Sequence, residues 1–397
     1  MAKTIGIGLI GTGFMGRAHA NAWGAVNRFF SLPRTATMDT VASRSASDGK
    51  AFASKWGFER HTSDWRSMLK DDAISIVDVL TPNHMHGEMS IEALQAGKHV
   101  ACEKPLAGTL EDARAMRDQA RKAKRRGVHS WVWFNYRRCP AIAFAHQLVK
   151  RGKLGRIFHI RAQYLQDWGG PDTPLLWRFV GKEAGSGAHG DLNAHIIDLA
   201  RFITGDEITE VTGAIEETFI KERVIPEGTG GAISGKGAGR RKKTGRSTVD
   251  DCVLFLARMK SGAVASFEAT RLATGNQNAN KIEINGDKGS IRFDFERMNE
   301  LVWWDNTLDP GLRGWSRIMC TDAEAHPYVA NYWPAAHLIG YEHCFTSMCS
   351  DILRVVSGRK PVVPLADFED AYETQRVLEA ATQSARLRSP VKISQVK

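Results

Sequence analysis

The feature that most constrains the fold is a regular alternation of short apolar runs and amphipathic stretches between residue 3 and about residue 134. The apolar runs are rich in Val and Ile, as strands buried on both faces of a parallel sheet should be: TIGIGLIG, DTVASR, AISIVDVLT, KHVACEK and GVHSWVWF. The stretches between them have helical character, at 15–25, 48–56, 84–96 and 110–125. This order predicts an α/β domain with a doubly wound parallel sheet of the Rossmann type and right-handed crossovers.

After residue 135 the pattern changes. Helices are predicted at 141–151 and 191–203, on either side of a long strand at 156–168. A series of strands with period-two alternation follows, in which one face is buried and the other is solvated or covered: DDCVLFLARM, AVASFEATR, ANKIEINGD and SIRFDFER. We therefore predict a Rossmann domain over residues 1–136. An α+β domain with a large, mostly antiparallel open-faced sheet is predicted over 137–397, with a closing helix at about 366–387.

The net charge of +10 could indicate a nucleic-acid partner, so its distribution matters. Much of it is local, because KGAGRRKKTGR at 236–246 carries six basic residues and no acid within a glycine-rich insert at about 228–247. Strand-like segments flank this insert, which favours a solvated loop in a sheet. A nucleic-acid site would need aromatic or basic residues on a rigid element beside it, and the sequence offers none. No nucleic-acid partner is expected.

Two further features bear on the location of the protein. No run of about 18 apolar residues occurs, so no membrane-spanning helix is expected. The chain begins MAKTIGIGLIG, which passes directly into a strand-like pattern without the features of a secretion signal. The six cysteines are scattered and form no CxxC pair, as is typical of reduced thiols. A cytoplasmic protein is predicted, with no membrane partner.

A glycine-rich segment, Gly11-Thr12-Gly13-Phe14-Met15-Gly16, follows the first strand and opens a helix. In this context GxGxxG indicates a dinucleotide site. The first glycine permits the tight turn, the second lets the backbone approach a pyrophosphate, and the third allows helix and strand to pack closely. Gly11, Gly13, Phe14 and Met15 are therefore candidate cofactor residues.

The tip of the second strand bears on the choice between NAD and NADP. It reads Val41-Ala42-Ser43-Arg44, with no carboxylate to bind the ribose hydroxyls of NAD. Asp39 lies at the other end of that run and is expected at the surface. Ser43 and Arg44 could instead hold a 2'-phosphate, because a guanidinium pairs well with phosphate. The sequence mildly favours NADP, with NAD as the alternative.

The next two strand tips fall at the carboxyl edge of the sheet, where open α/β folds bind ligands. They supply the candidate cofactor residues Thr81, Pro82, Asn83, His86, Glu103 and Lys104. The proline that follows Lys104 should keep this lysine extended at the strand end. The spacing of His84 and His86 is compatible with a metal site, but no carboxylate or cysteine cluster accompanies them. Polar loop contacts are expected there, and no metal.

In the second half, Gly185-Ser186-Gly187-Ala188-His189-Gly190 leads into a helix with a buried stripe of Leu192, Ile196, Leu199 and Ile203. Asp191 and His195 are four residues apart and should lie one above the other beside this stripe. A carboxylate one turn before a histidine can orient its ring, as an acid/base histidine requires. An ordinary helix contact or an N-terminal cap is the alternative.

Taken together, these motifs resemble one family, the glucose-fructose oxidoreductase, inositol dehydrogenase and rhizopine catabolism group, called Gfo/Idh/MocA. The matching segments are GTGFMG, TPNHMH, ACEKP and GDLNAHIID, in order along essentially the whole chain. FNYRR, YLQDWGGPDTPLLWRF, EATRLATGNQN, AHPY and IGYE look most like the branch of levoglucosan dehydrogenase-like sugar dehydrogenases. The resemblance implies that Lys104, Asp191 and His195 form the catalytic set, with His195 moving the hydroxyl proton and Lys104 hydrogen-bonding the reacting oxygen.

Substrate contacts are a hypothesis from chemistry. A sugar needs planar polar groups for its hydroxyls and an aromatic face for its C–H side, and the strand ending Tyr164-Leu165-Gln166-Asp167-Trp168 offers both. The candidate substrate residues are Tyr136, Gln166, Trp168, Arg178, Asn193 and His195. The alternative is that Trp168 and Trp177 simply pack beneath a long loop.

The resulting hypothesis is an NAD(P)-dependent dehydrogenase that acts on a secondary hydroxyl of a cyclic sugar, anhydrosugar or glycoside, with ring carbon three as the candidate position. Alternatives are an inositol or polyol dehydrogenase, or a non-catalytic cofactor- or sugar-sensing regulator of the same fold. The resemblance implies pairing through the open face of the second sheet, hence a homodimer or homotetramer.

Overall fold

A computed structural model describes residues 4–226 and 243–397, which form two compact units. The first comprises the chain up to Arg138 together with Ile339–Tyr372, and the second comprises Cys139–Leu338 and Glu373–Lys397. The division predicted from the sequence stays a prediction, and these units differ from it in placing 339–372 with the first. The basic insert lies outside the described residues as far as residue 242.

The first unit is built on a six-stranded sheet in which every pairing is parallel. Its strands are β1 (Thr4–Ile10), β2 (Thr35–Ala42), β3 (Arg60–Thr62), β4 (Ile74–Val79), β5 (His99–Cys102) and β6 (Ser130–Val132), in the order β3-β2-β1-β4-β5-β6. This confirms the predicted doubly wound sheet and places its switch point between β1 and β4. The sequence did not predict β3, because its three residues contain no apolar run.

One expectation about the second strand was wrong. β2 begins at Thr35, four residues before the predicted run, so Asp39 lies inside the strand and is only 7% exposed. Its carboxylate accepts hydrogen bonds from Arg60 and Thr40. Asp39 therefore joins β2 to β3 and is not a surface residue.

Four helices connect these strands: α1 (Phe14–Phe29), α2 (Ala46–Trp56), α3 (His86–Gln95) and α4 (Leu110–Lys124). α2 and α4 begin where the hydroxyls of Ser45 and Thr109 accept a backbone N–H of the first turn. α2 ends at Trp56 and is capped by Gly57, whose φ of 80° is the left-handed conformation that favours glycine. α1 buries a stripe that includes His19, Trp23 and Val26.

The second unit is an α+β domain. Its helices in this part of the chain are α5 (Pro140–Lys150), α6 (Gly181–Ala184), α7 (Ala194–Thr204) and α8 (Val329–Tyr332). Its strands are β7 (Ile157–Leu165), β8 (Ile208–Glu217), β9 (Glu222–Val224), β10 (Thr244–Arg246), β11 (Cys252–Met259), β12 (Val264–Thr270), β13 (Ala279–Gly286), β14 (Gly289–Asp294), β15 (Glu300–Asp305), β16 (Trp315–Met319) and β17 (Val391–Lys392).

Nine of these strands form one sheet in the order β16-β15-β14-β13-β7-β12-β11-β8-β17. All pairings are antiparallel except that of β7 with β12, which confirms the predicted mostly antiparallel sheet. α7 packs on β7 and β13, and α5 packs on β14 and β15. β9 and β10 form a separate two-stranded ribbon.

Two long helices complete the chain, α9 (Tyr341–Val356) and α10 (Phe368–Leu387). α9 packs against α1 within the first unit, which explains why residues 339–372 group there. α10 begins and ends within two residues of the bounds predicted for the closing helix. Across 4–226 and 243–397, none of the helices combines the length and the apolar character needed to cross a bilayer.

Candidate functional site

The glycine loop after β1 is tight at its first and third glycines and open at its second. Gly11 has a φ of 114°, and a Cβ there would lie 2.8 Å from the carbonyl oxygen of Leu80. A Cβ at Gly16 would lie 2.4 Å from the carbonyl oxygen of Gly11. A Cβ at Gly13, just before α1, would meet no atom within 4 Å. This leaves room for a diphosphate at the amides that open the helix, so the loop fits a dinucleotide.

The other candidate cofactor residues follow β4 and β5, strands on the same side of the switch point. Thr81, Pro82 and Asn83 lead from β4 into a short 3₁₀ turn. Glu103 and Lys104 come directly after β5, where Glu103 is buried and Lys104 is half-buried. Since all strands of this sheet are parallel, the glycine loop and both of these segments lie at its carboxyl edge.

His86 connects these two segments. Its Nε2 lies 2.9 Å from the carbonyl oxygen of Thr81, and its Nδ1 lies 3.1 Å from that of Pro105. Burial lowers the pKa of His86, so the ring is neutral near pH 7. A neutral imidazole has one N–H, so only one of the two carbonyls is hydrogen-bonded at a time. Over the part of the chain that the structure describes, His86 belongs to no cluster of metal-binding side chains.

Behind Glu103 lies a fully buried histidine, His19, for which the sequence motifs indicate no role. His19 Nδ1 is 3.0 Å from Asp78 Oδ2, and His19 Nε2 is 3.0 Å from Glu103 Oε1. The indoles of Trp23 and Trp133 donate to the same Asp78 carboxylate, each at 2.8 Å. We call these five residues the His19 cluster.

The charge of His19 follows from its partners. Two ionised carboxylates offer only acceptors, so the ring satisfies both by donating from both nitrogens. Burial opposes the charged ring, but Asp78 and Glu103 outweigh it and raise the pKa of His19 to about 9. The second oxygen of Glu103 accepts the backbone N–H of Lys104 at 3.1 Å. The cluster therefore holds the backbone of the predicted catalytic lysine.

At the tip of β2, the two residues proposed for a 2'-phosphate differ in availability. The Ser43 hydroxyl donates to the carbonyl oxygen of Ser45 at 2.9 Å and lies 3.2 Å from His61 Nε2. Arg44 is exposed. The hydroxyl of Ser43 is therefore already hydrogen-bonded within the chain, whereas the side chain of Arg44 is exposed to solvent.

In the second unit, the segment that carries Asp191 is a π-helical turn, His189–Asn193, which continues into α7. Asp250 fixes its entry, because its carboxylate accepts the backbone N–H groups of Gly187 at 2.6 Å and His189 at 2.8 Å. A Cβ at Gly187 would lie 1.8 Å from the carbonyl oxygen of Asp250. The sequence predicted the helix but not its widened first turn, a feature often found at functional sites.

The predicted acid/base residues have distinct surroundings. Asp191 is 25% exposed, and its Oδ2 accepts a hydrogen bond from Arg271 Nη2 at 2.8 Å. His195 is buried, and its ring centroid lies 5.9 Å from that of Tyr164. Both residues lie on one continuous helical segment with the predicted buried stripe.

The predicted sugar-binding strand end is tied together by side-chain hydrogen bonds. Trp168 Nε1 donates to Gln166 Oε1 at 2.6 Å, and Gln166 Nε2 donates to Asn278 Oδ1 at 2.9 Å. Tyr164 donates to the same Asn278 oxygen at 2.7 Å. Asn278 also lines a cavity of about 650 Å³ with Asp167, Gly275, Gln277, Phe295 and Glu296. Gln166 and Trp168 thus form one hydrogen-bonded group with Tyr164, near His195.

The remaining candidate substrate residues are Asn193, Arg178 and Tyr136. Asn193 is fully buried, and its amide nitrogen donates to His189 Nδ1 and the Val253 carbonyl oxygen. The guanidinium of Arg178 stacks 4.5 Å from the Trp177 ring centroid. Tyr136 belongs to the first unit, where it is buried 6.5 Å from the Tyr341 ring centroid. Their roles toward a sugar stay predictions.

Sequence reasoning missed His19, Arg271 and Asn278. His19 carried a signal, because its spacing from Gly16 and Trp23 places it in the apolar stripe of α1, where an unpaired histidine would be costly. Arg271 directly follows the alternating strand β12 and carried a weaker one. For Asn278, a loop residue before β13, we find no signal in the sequence.

Comparison with known proteins gives consistent results. Residues 5–130 match the model of an oxidoreductase family with an NAD-binding Rossmann fold, and residues 142–292 match the GFO/IDH/MocA C-terminal domain. The chain is 39% identical to levoglucosan dehydrogenase of Pseudarthrobacter phenanthrenivorans, with 99% of both proteins covered.

Solved structures extend the similarity to three dimensions. An oxidoreductase domain protein from Kribbella flavida is 48% identical, with a TM-score of 0.91 over 98% of this chain and 99% of the other. Levoglucosan dehydrogenase in complex with NADH and levoglucosan is 39% identical, with a TM-score of 0.88 over 98% of this chain and 100% of the other. By its sequence, its two matched domains and its fold, the chain belongs to the GFO/IDH/MocA family of oxidoreductases.

Proposed function

We propose that this protein is an NAD-dependent dehydrogenase that oxidises a secondary hydroxyl of a cyclic sugar or anhydrosugar, with levoglucosan as the first candidate. The observation that carries the proposal is the carboxyl edge of the first sheet. There a glycine loop open at Gly13 lies in the same row of strand tips as Lys104, whose backbone is held by a buried charge cluster. A levoglucosan dehydrogenase similar over nearly its whole length supports the choice of substrate.

The chemistry needs a base, a hydrogen-bond donor and alignment. Removing a proton and a hydride from one C–OH group leaves a carbonyl, and the nicotinamide, when bound, takes the hydride. His195 takes the hydroxyl proton, with Asp191 on the preceding turn orienting its ring. Lys104 donates to the reacting oxygen and stabilises the negative charge that develops on it.

For the cofactor we propose NAD rather than NADP. The mild preference for NADP rested on Ser43 and Arg44, and the comparisons lend it no support, since the similar solved structure contains NADH. The hydroxyl of Ser43 already donates to Ser45 within the chain. Titrating the protein with NAD and with NADP, followed by protein fluorescence, decides between them. Tighter binding of NADP would contradict this choice and assign Arg44 to the 2'-phosphate.

Sugar recognition is proposed for the group of Gln166 and Trp168. Their mutual hydrogen bond leaves Gln166 with a further amide hydrogen and a further lone pair for sugar hydroxyls, and it holds the indole face in one orientation. Gln166→Ala and Trp168→Ala should each raise KM for the true sugar while leaving KM for NAD unchanged. If both variants keep the wild-type KM, the tryptophan only packs beneath the loop and this assignment fails.

The function itself is tested with purified protein, NAD or NADP, and a panel of anhydrosugars, glycosides, inositols and linear polyols. Absorbance of the reduced nicotinamide reports turnover. Activity with levoglucosan or another pyranose is expected. Activity confined to inositols would replace the sugar assignment. Cofactor binding without turnover of any compound would instead indicate a sensing protein. Ring carbon three is proposed as the oxidised position, and NMR of the product tests it.

We also propose that the protein forms a homodimer or homotetramer through the outer face of its nine-stranded sheet. Exposed apolar side chains on that face, such as Leu256 and Val264, stand beside a row of paired charges, Arg161, Glu283 and Arg292. Gel filtration with light scattering at several concentrations measures the assembly. A monomer at all concentrations would contradict it, and Leu256→Lys should weaken the assembly if this face is used.

A further inference from the structure

Arg271 occupies a central place among the candidate residues of the second unit. It follows the last residue of β12, and its side chain is only 1% exposed. Its Nη2 donates to Asp191 Oδ2 at 2.8 Å and to the carbonyl oxygen of Gly187 at 3.0 Å. Its Nη1 donates to the carbonyl oxygen of Arg178 at 3.4 Å. One guanidinium thus contacts the predicted carboxylate, the turn that precedes it and a backbone group of a predicted substrate residue.

The same guanidinium also contacts the predicted aromatic platform. Its central carbon lies 5.1 Å from the ring centroid of Trp168 and 5.6 Å from that of Phe179. Both distances lie within the range of cation–π attraction. Arg271 therefore joins the carboxylate of Asp191 to the indole that is expected to face the sugar.

A second buried arginine provides an internal control. Arg223 stacks on the other ring of this pair, with its central carbon 3.7 Å from the Phe179 centroid. It donates to the carbonyl oxygens of Gly169, Gly170 and Thr173 and, at 3.2 Å, to Asp251. Asp251 in turn accepts the backbone N–H of Ile220. Arg223 is as buried as Arg271, but its side chain contacts none of the predicted acid/base residues.

We propose that Arg271 is a positioning residue for the dehydrogenation, which holds Asp191 and Trp168 in the one arrangement that serves both the acid/base step and the sugar. This inference rests on the proposed function. A guanidinium stays charged at all working pH values and has a planar set of donors, so it can fix a carboxylate and lie against a ring at the same time. A lysine at this position would keep the charge but lose that geometry.

The test compares four single variants, Arg271→Lys, Arg271→Met, Arg223→Met and Asp191→Asn, together with Arg271→Met/Asp191→Asn. For each, kcat, KM for the sugar, KM for NAD and the melting temperature are measured. Both Arg271 variants should lower kcat about 10- to 100-fold and raise KM for the sugar, with KM for NAD unchanged. Arg223→Met should lower the melting temperature and leave kcat within about threefold of wild type, as expected for a packing residue whose carboxylate partner is Asp251 and not Asp191.

The double variant separates positioning from general damage. If Arg271 acts through Asp191, removing Arg271 should lower kcat little further once the carboxylate is absent. The kcat of the double variant should therefore stay within about threefold of that of Asp191→Asn. If Arg271→Met does not fold, the same comparison is made with Arg271→Lys, Asp191→Asn and the double variant Arg271→Lys/Asp191→Asn.

The outcomes distinguish this inference from the function on which it rests. A wild-type enzyme that turns over sugar, with Arg271 variants of unchanged kcat, would overturn the inference and leave the function intact. Equal losses of kcat in the Arg271 and Arg223 variants would also overturn it, because they would indicate only a shared packing defect. A wild-type protein without turnover on any compound would overturn the proposed function, and this inference with it.

Discussion

The two units bury charge in different ways. In the first, the His19 cluster surrounds a titratable imidazole with two carboxylates and two indole N–H groups. In the second, Arg271 and Arg223 are permanently charged and are held mainly by backbone carbonyl groups, with one carboxylate each. The cationic charge of the first cluster therefore depends on pH, whereas that of the second does not.

This difference separates two tasks. The His19 cluster holds the backbone of Lys104 at the carboxyl edge of the first sheet. Arg271 contacts the turn before Asp191 and the indole expected to meet the sugar, whereas Arg223 holds a neighbouring loop by its backbone carbonyl groups. Buried charges are costly to leave unpaired, so each region should respond strongly when a partner is removed. The responses should differ in kind, with stability and pH dependence marking the first region and sugar kinetics the second.

The largest effect should come from removing a reacting group in either unit. Lys104→Met and His195→Gln should each lower kcat about 10²- to 10⁴-fold, the range typical of a lost acid/base or charge-stabilising group. Both variants should still bind NADH, measured by its fluorescence. Turnover near the wild-type rate in either variant would remove that residue from the catalytic set. Unequal losses would show which unit supplies more of the rate.

The next effect concerns the stability of the first unit. His19→Gln leaves two buried carboxylates without their cation and should lower the free energy of unfolding by about 3 kcal/mol at pH 7. Trp23→Phe removes one indole N–H from the same Asp78. The lost hydrogen bond should lower the free energy of unfolding by only about 1 kcal/mol, and the smaller ring loses some packing in addition. Urea unfolding followed by tryptophan fluorescence measures both, because Trp23 and Trp133 lie in the cluster. Equal losses would mean that the charge on His19 contributes little.

A smaller effect is the pH dependence of that stability. Burial opposes the charge on His19, but Asp78 and Glu103 raise its pKa from 6.5 to about 9 in the folded protein. The stabilisation is therefore fully present below pH 6.5 and is lost as pH rises through 9. The difference in unfolding free energy between wild type and His19→Gln should shrink by about 2 kcal/mol between pH 7 and pH 9. A constant difference would show that the folded protein holds His19 neutral. Arg223→Met should show no such pH dependence.

The smallest effect concerns the residues of the second unit that are predicted to bind the sugar. Asn278→Ala removes the oxygen that accepts from both Tyr164 and Gln166 and should raise KM for the sugar roughly fivefold, equivalent to about 1 kcal/mol. Gln277→Ala, one residue earlier in the same loop, serves as the matched control and should leave KM unchanged. KM for NAD should not move in either variant. If both variants raise KM equally, the loop matters as a whole and the hydrogen bonds of Asn278 do not.

Much of the fold could be predicted because its signals are local. Apolar runs marked five of the six strands of the first sheet, and period-two alternation marked the central strands of the second. The short polar strand Arg60–Thr62 has no such pattern. Its extended conformation is fixed by its pairing with β2, which its own sequence does not indicate. The helix predicted at 191–203 is present, but its π-helical first turn, His189–Asn193, depends on the distant carboxylate of Asp250.

The residues of the candidate site also fall into two groups, those with a local sequence signal and those that depend on distant partners. Gly11, Gly13 and Lys104 could be selected from spacing and strand order, because backbone conformation and sheet edges follow from nearby residues. Arg271 and Asn278 could not, because each acts through a partner about 80 to 115 positions away in the chain. Their value to the site appears only when strands β7, β12 and β13 lie side by side.

By itself the sequence determined the succession of strands and helices, the glycine loop and the place of Lys104 at a strand tip, since hydrophobic periodicity and glycine conformations act over a few residues. Only the tertiary structure decided which buried charges neutralise one another. His19 meets Asp78 across 59 positions and Glu103 across 84, and Arg271 meets Asp191 across 80. Such pairings depend on which elements pack together and which way their side chains face, and no local pattern encodes that.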